Sequence, residues 1–486
     1  MTGAGSMKRA IIRPGQTDRS MSHGDERLRR AGAVGPCRPV RALLLLAALG
    51  VALAACSKQG EILEGPRYDT RTPIEDVLTG KAQPVNAAQE AAQPTKPLAL
   101  SLPKPQPVRR WTHPGGNPRH LPPHAALAGT LEPLWSREIG RGNDRRHRMT
   151  ADPVGADGRI YTLDVSGTVS ALDAKSGRLL WQKKLVPLTE RGDEAAGGGL
   201  ALGDGRLFVT TGFAELQALD AADGTVLWKQ KLDAVPTGAA MVRGGRVHVV
   251  TRGGTAYALD AKTGRIRWQQ QSTDAPAYVA GGAAPADGGR VVILPFGSGE
   301  VMAVLPRTGI RLWSSFVAGG RRTEARSVIP DIAADPVVTG GRVHVANQAG
   351  RMVALDLKDG APLWTAPEGT LSQILPVGGA LFLVSDENEL VRLSARDGSL
   401  VWKVPLPGRS KKSRFRRRHT VVHYGPILAG GRLIVAGSDG LLRLFDPVSG
   451  ELVATRDIPG GAASRPIVLD GTLFVLSRKG RLHAWR

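Results

Sequence analysis

The chain has 486 residues, a length that on its own suggests two to four domains, and carries 65 Lys+Arg against 43 Asp+Glu for a net charge of +22. That charge fits an anionic partner, or solubility alone. Two Cys are too few for a disulfide framework, while 61 Gly and only 5% aromatic residues suit a turn-rich β array.

Residues 1–55 read as a signal region. Arg38 and Arg41 precede an apolar run at 42–55 that is too short to span a bilayer. A basic start, an apolar middle and a small-residue end make a secretory signal. The run ends LAAC, with Cys56 last. This ending resembles a bacterial lipobox. The resemblance implies cleavage before Cys56, a diacylglyceryl group on its sulfur and an acyl group on the new amine. Several lipid chains together anchor stably. Ser57 follows where retention at the inner membrane uses Asp, which implies the outer membrane, periplasmic face. Residues 1–37 are long for the basic part, and Met21 is a candidate start. The plainer reading is an ordinary signal with a chance Cys.

Residues 56–130 are rich in Ala, Gln and Pro and read as a tether. Segments 64–70 and 72–78 are candidates for short docked pieces. WTHPGGNPRHLPPH, at 111–124, stands out. The spacing of His113, His120 and His124 fits no zinc pattern, and no metal is expected. The prolines keep the segment extended. It is expected to lie along the wall of the domain that follows, with Trp111 buried.

From 131 to 486 one unit recurs. GTVSALDAKSGRLLW stands at 167–181, AELQALDAADGTVLW at 214–228 and GTAYALDAKTGRIRW at 254–268. Further copies end at Trp313, Trp364 and Trp402. A copy at 440–454 ends in Ala454 instead, and a truncated one closes at Arg486. A fixed period of about 40–50 residues means a solenoid, propeller or array. Around the first copy, strands are predicted near Pro153 and at 159–163, 169–172 and 178–184. Asp-rich, Gly-ended turns lie between them. The aspartates at Asp173, Asp220, Asp260, Asp356 and Asp446 recur at one repeat position and read as turn residues. Four short antiparallel strands per repeat make a propeller blade. Each Trp is large enough to fill the gap between blades. The last copy lacks a fourth strand. LEPLWSREIG, at 131–140, is an orphan fourth strand with Trp135 at the Trp position. Joining the two gives an all-β, eight-bladed β-propeller closed by an N-terminal strand, with no open sheet edge. Its blade-packing residues are Trp135, Trp181, Trp228, Trp268, Trp313, Trp364 and Trp402.

Basic residues cluster at 141–148, 319–326 and 408–419. All three stretches join the fourth strand of one blade to the first of the next, so one face carries a basic crown. Solvated loops are the plain reading. Docking to an acidic protein surface or anionic headgroups is the sharper one. Nucleic acid does not suit an exported chain, and only Phe415 interleaves the longest basic run. No G-x-S-x-G, H-E-x-x-H or P-loop occurs, so no catalytic residue is assigned.

The unit G-x-V-x-A-L-D-A-x-x-G-x-x-x-W resembles the repeat of pyrroloquinoline-quinone (PQQ) propellers. Two families share it: the quinoprotein dehydrogenases and the BamB lipoproteins. A vicinal Cys pair, on which many of those dehydrogenases stack the quinone, is impossible here, and no calcium set is recognisable. No cofactor is expected. A lipobox followed by an eight-bladed ring is similar to BamB. TEARSVIPDIAADPVV, at 323–338, also resembles a BamB stretch that carries an acidic pair. Asp331 matches its first acid, Ala333 stands at the second, and Asp335 follows. The companion stretch corresponds to 277–280, with Tyr278 and Val279. The resemblance implies a non-enzymatic scaffold of the β-barrel assembly machinery. Its partners would be the periplasmic POTRA domains of BamA, other subunits of that machinery and unfolded outer-membrane proteins. The implied contacts are Asp331, Tyr278, Val279 and Arg326. A periplasmic PQQ oxidoreductase and a different envelope-binding propeller are the alternatives.

Overall fold

A computed structural model of the protein describes residues 99–192, 197–273, 281–317, 319–320, 329–408 and 420–486. Cys56 and the first part of the tether lie outside them, as does most of the 408–419 basic run.

Strand β1 (Arg110–Trp111) comes first and β2 (Pro133–Glu138) second. The first blade follows as β3 (Val154–Ala156), β4 (Arg159–Leu163), β5 (Thr168–Asp173) and β6 (Leu179–Lys184). Six more blades repeat this order, each a four-stranded antiparallel sheet, at 198–231, 241–271, 286–316, 337–366, 375–405 and 423–457. The eighth takes three strands from 467–485 and its fourth from β2. Orphan strand and truncated repeat therefore complete one blade, as expected. Glu132 and Arg486 exchange backbone hydrogen bonds of 2.8 and 2.9 Å at that junction.

Inner strands are buried on both faces, whereas fourth strands alternate, as in VLWKQK at Val226–Lys231. Between third and fourth strands lies the Asp-to-Gly turn. Asp173, Asp220, Asp260, Asp356 and Asp446 each accept a backbone N–H there. In every blade the register of the third–fourth pairing shifts beside the Trp position. Such a bulge re-aims a side chain.

Each Trp crosses to the next blade. Trp228 Nε1 donates to Ala261 O at 3.1 Å. The same bond runs from Trp135 to Ala174, Trp181 to Ala221, Trp268 to Pro306, Trp313 to Leu357, Trp364 to Ala395 and Trp402 to Val448. The indole lies on the glycine that ends the neighbour's turn. A Cβ on Gly264, whose φ is +74°, would stand 2.7 Å from the Trp228 ring. Only glycine suits both that φ and that approach.

The seam between the seventh and eighth blades differs. Third and fourth strands of the eighth blade come from distant parts of the chain, so no turn connects them. Ala454 stands where a Trp would, beside buried Leu131 and Trp485. Arg456 Nε donates to Leu131 O at 3.3 Å. Arg137 makes the equivalent bond to the turn glycine Gly177.

The tether expected to reach residue 130 ends sooner. From residue 99 the chain is a strap that engages every blade. Trp111, 2% exposed, pairs with Gly155 of the first blade. Thr112 O accepts from Leu202 N, His113 Nε2 from Val242 N, Pro118 O from Asp287 N and Arg119 O from Val338 N. His120 O accepts from Gln373 Nε2 on the way into the sixth blade. Ala125 O accepts from Gly430 N, and Val108 O from Asp470 N. The strap thus crosses the innermost strands at their first hairpins, not the outer wall. An extended chain with free carbonyls, helped by the His113 ring, matches the unpaired N–H groups of seven inner strands, which the outer surface does not offer.

Candidate functional site

The strap closes one face of the ring. On the other face, where the crossover loops and the second-to-third-strand loops emerge, the axis opens as a cavity of about 680 Å³. Its polar groups come from crossover loops, inner-strand starts and, at Ser438 and Arg478, second-to-third-strand loops, because those segments converge on the axis.

Three charged side chains brace its floor. Arg465, leading into the eighth blade, pairs with Asp152, leading into the first. Its backbone N–H also donates to Asp152 Oδ1 at 2.9 Å. Arg465 Nη1 reaches across the axis to Asp335 Oδ2 of the fifth blade at 2.7 Å. Asp335 Oδ1 accepts from Ala284 N at 2.8 Å. Both carboxylates are buried, and the Arg465 side chain keeps a small exposed part. Burial works against the Arg465 charge, and the two carboxylates outweigh it, holding the guanidinium protonated. Burial pushes the Asp335 carboxyl up, but Arg465, His120 and the Ala284 amide overcome this and hold it below the usual carboxylate range.

Below the brace lie the strap histidines. Burial drives His113 down to about 3, with His120 adding to the effect. It is therefore neutral and accepts the Val242 N–H. His120 Nδ1 donates to Pro336 O at 2.9 Å, and His124 pairs with Pro103 O and Gly431 N. These residues serve as backbone clips.

The rim is basic. Arg148 is exposed at the cavity mouth, and Arg478 lies beside it with Nη1 donating to Ser438 O. In the same crossover loop Arg141 and His147 are held by Asp144, the first at 2.6 Å.

A family described as "Outer membrane protein assembly factor BamB" matches residues 128–192, 165–404 and 392–485. The chain belongs to the BamB family. The BamB protein of Aliivibrio fischeri is 36% identical over 371 residues, covering 75% of this chain and 92% of that protein. Among solved structures, BamB from Moraxella catarrhalis aligns with a TM-score of 0.58 at 20% identity, covering 74% of this chain and 98% of that one. The quinohemoprotein alcohol dehydrogenase from Comamonas testosteroni aligns as well, with a TM-score of 0.59 at 16% identity, over 78% and 81% of the two chains. Both structural likenesses carry the fold alone.

A calcium–quinone pair does not fit this cavity. Calcium takes open oxygen ligands. Asp152 and Asp335 are both engaged by Arg465, and no group of three metal-ligating side chains occurs among the described residues.

Of the residues that BamB resemblance singles out, Tyr278, Val279 and Arg326 lie outside the described residues. Asp331 is described, on the way into the fifth blade, and is only 2% exposed. Its carboxylate belongs to the interior. Asp335 is committed to the brace. The seven Trp residues stand at the seams. The brace itself escaped sequence reasoning. A signal was present: ADPV occurs at 151–154 and again at 334–337, and SRPI occupies the same place at 464–467. Asp152, Asp335 and Arg465 thus share one repeat position in blades one, five and eight. In an eight-membered ring, blades one and five stand opposite each other.

Proposed function

We propose that the protein is a non-enzymatic scaffold of outer-membrane β-barrel assembly. It is held to the outer membrane through lipidated Cys56 and uses its crossover-loop face to bind the periplasmic POTRA domains of BamA. The observation that carries this reading is the family match, which runs through nearly the whole ring. Support comes also from a cavity whose carboxylates are tied up internally, which offers no open acid–base pair. In this reading Tyr278, Val279 and Arg326 touch the partner. Buried Asp331 acts through the shape of its crossover loop. Other subunits of the machinery and unfolded barrel precursors are further partners.

The test is copurification. A C-terminally tagged chain is extracted from outer membranes in mild detergent, and the eluate is identified. BamA in the eluate, lost on exchanging Tyr278 and Val279 for Asp, is the expected result. Its absence from an intact, membrane-bound protein would defeat the scaffold reading. Cys56→Ala is expected to move the protein to the soluble periplasm. A variant still found in membranes would dismiss the lipid anchor.

A further inference from the structure

We infer that the axial cavity is a receptor for an amphiphilic carboxylate, its head held at the rim by Arg148, Arg478 and Tyr424 and its apolar portion lying against Leu371 and Val422. This goes beyond the scaffold reading and does not depend on it.

Charge comes first. Among the described residues, three guanidiniums and two carboxylates line the cavity: Arg148, Arg465 and Arg478 against Asp152 and Asp335. Arg465 is saturated by the two acids of the floor. The floor thus keeps one negative charge and the rim two positive ones, so the described lining sums to +1, which suits a monoanion better than a dianion. Arg148 makes no side-chain hydrogen bond among the described residues, and the Arg478 guanidinium makes one, to Ser438 O. Both lie close enough to Tyr424 to act on its hydroxyl, while burial pushes that hydroxyl up to about 12, so it stays a donor. Two Arg forks and a phenol lining one cavity match a carboxylate, through charge-assisted hydrogen bonds.

Shape and polarity come second. A carboxylate alone fills little of about 680 Å³, a volume within the range of small-molecule sites. Leu371 and Val422 line the same cavity, yet remain 54% and 44% exposed. Two exposed aliphatics beside a cationic rim complete an amphiphile's outline. The two sources of such chemistry are a fatty acid and the free C-terminal carboxylate of a polypeptide with apolar last residues.

The test uses the purified full chain and three probes: dye-labelled Ala-Val-Leu with a free C-terminus, its C-terminal amide, and decanoate as competitor. Anisotropy reads binding. Peptide acid bound at least tenfold more tightly than amide supports the site and assigns it to polypeptide ends. Binding of decanoate read by calorimetry, with the peptide silent, supports the site and assigns it to a lipid-derived acid. Arg148→Gln is expected to weaken the bound probe by about tenfold, as loss of one charge-assisted bond would. Arg148 is exposed, so this variant keeps the fold, which a melting curve checks. Tyr424→Phe gives a second, smaller loss. Equal binding of acid and amide, unchanged affinity in Arg148→Gln, or no binding of any probe at millimolar concentration overturns the proposal.

Discussion

Seven seams of the ring are built one way and the eighth another. At the seven, an indole from one blade lies on the turn glycine of the next and donates to a carbonyl of that turn. At the eighth no such turn exists, because the blade's third and fourth strands come from distant stretches of chain. The Trp is gone as well, replaced by Ala454, which packs on a core cluster that includes Leu131 and Trp485. The difference teaches that the Trp belongs to the turn it docks on rather than to the blade that carries it. Where the neighbour's turn is missing, an indole has neither its glycine platform nor its carbonyl.

The strap touches every blade and the brace ties blades one, five and eight across the axis, so breaking them is expected to cost most. Arg465→Met leaves two buried carboxylates unpaired, and a loss of about 3–5 kcal/mol is expected in denaturant unfolding. Asp335 is held below its ordinary value in the folded chain. Its contribution is therefore present above the unfolded pKa of about 3.9 and disappears as pH falls through the lower folded value. The gap between wild type and Arg465→Met should narrow on acidification below that window. An equally stable variant would show that the brace contributes nothing. At a docked seam, Trp228→Ala is expected to cost about 3 kcal/mol, read from the unfolding midpoint. A cost near zero would mean the indole is surface decoration.

The strap gives a pH signature. His113 is held down to about 3 in the fold. Below an unfolded pKa of about 6.5 the unfolded chain takes the proton and the fold does not, so stability falls with pH. By pH 5 this one group removes roughly 2 kcal/mol relative to pH 7. His113→Gln should flatten the profile by that amount, and an unchanged slope would place the titration elsewhere. Gly264→Ala is expected to cost about 1–2 kcal/mol from the positive φ, and more from the contact with Trp228. The smallest effect separates the two kinds of seam directly. Ala454→Trp should change stability by no more than about 1 kcal/mol, since no turn awaits the ring. A gain of several kcal/mol would show the eighth seam to be an unfilled version of the other seven.

What was legible in the sequence was what is encoded within one repeat. Asp173 and Gly177 lie four residues apart and make one turn, and Trp181 follows at a fixed distance. Such local signals name the blade, its seams and the orphan strand around Trp135. The strap was not legible, because its partners are backbone N–H groups in seven blades and the Gln373 side chain in the sixth, and a backbone group leaves no mark in a sequence. His113 and His120 read as stray polar residues among prolines. The brace joins Asp152 to Arg465 across 313 positions. Only the placement of both at one repeat position, seen together with the ring's order, brings them to the axis. Asp331 shows the opposite case: a family motif marks the residue, but the motif does not say that its side chain is interior.

One consequence concerns time. Ser136 of the closing strand meets Arg481, 345 positions further along. The entropy of closing so long a loop grows only with the logarithm of its length, so equilibrium tolerates the arrangement well. The clock does not. A contact between such distant segments must wait, and topologies rich in them fold slowly. The piece of the ring that leaves the ribosome first is among the last to find its place. Through that interval strap and closing strand offer unpaired backbone, to which other unfolded chains can stick.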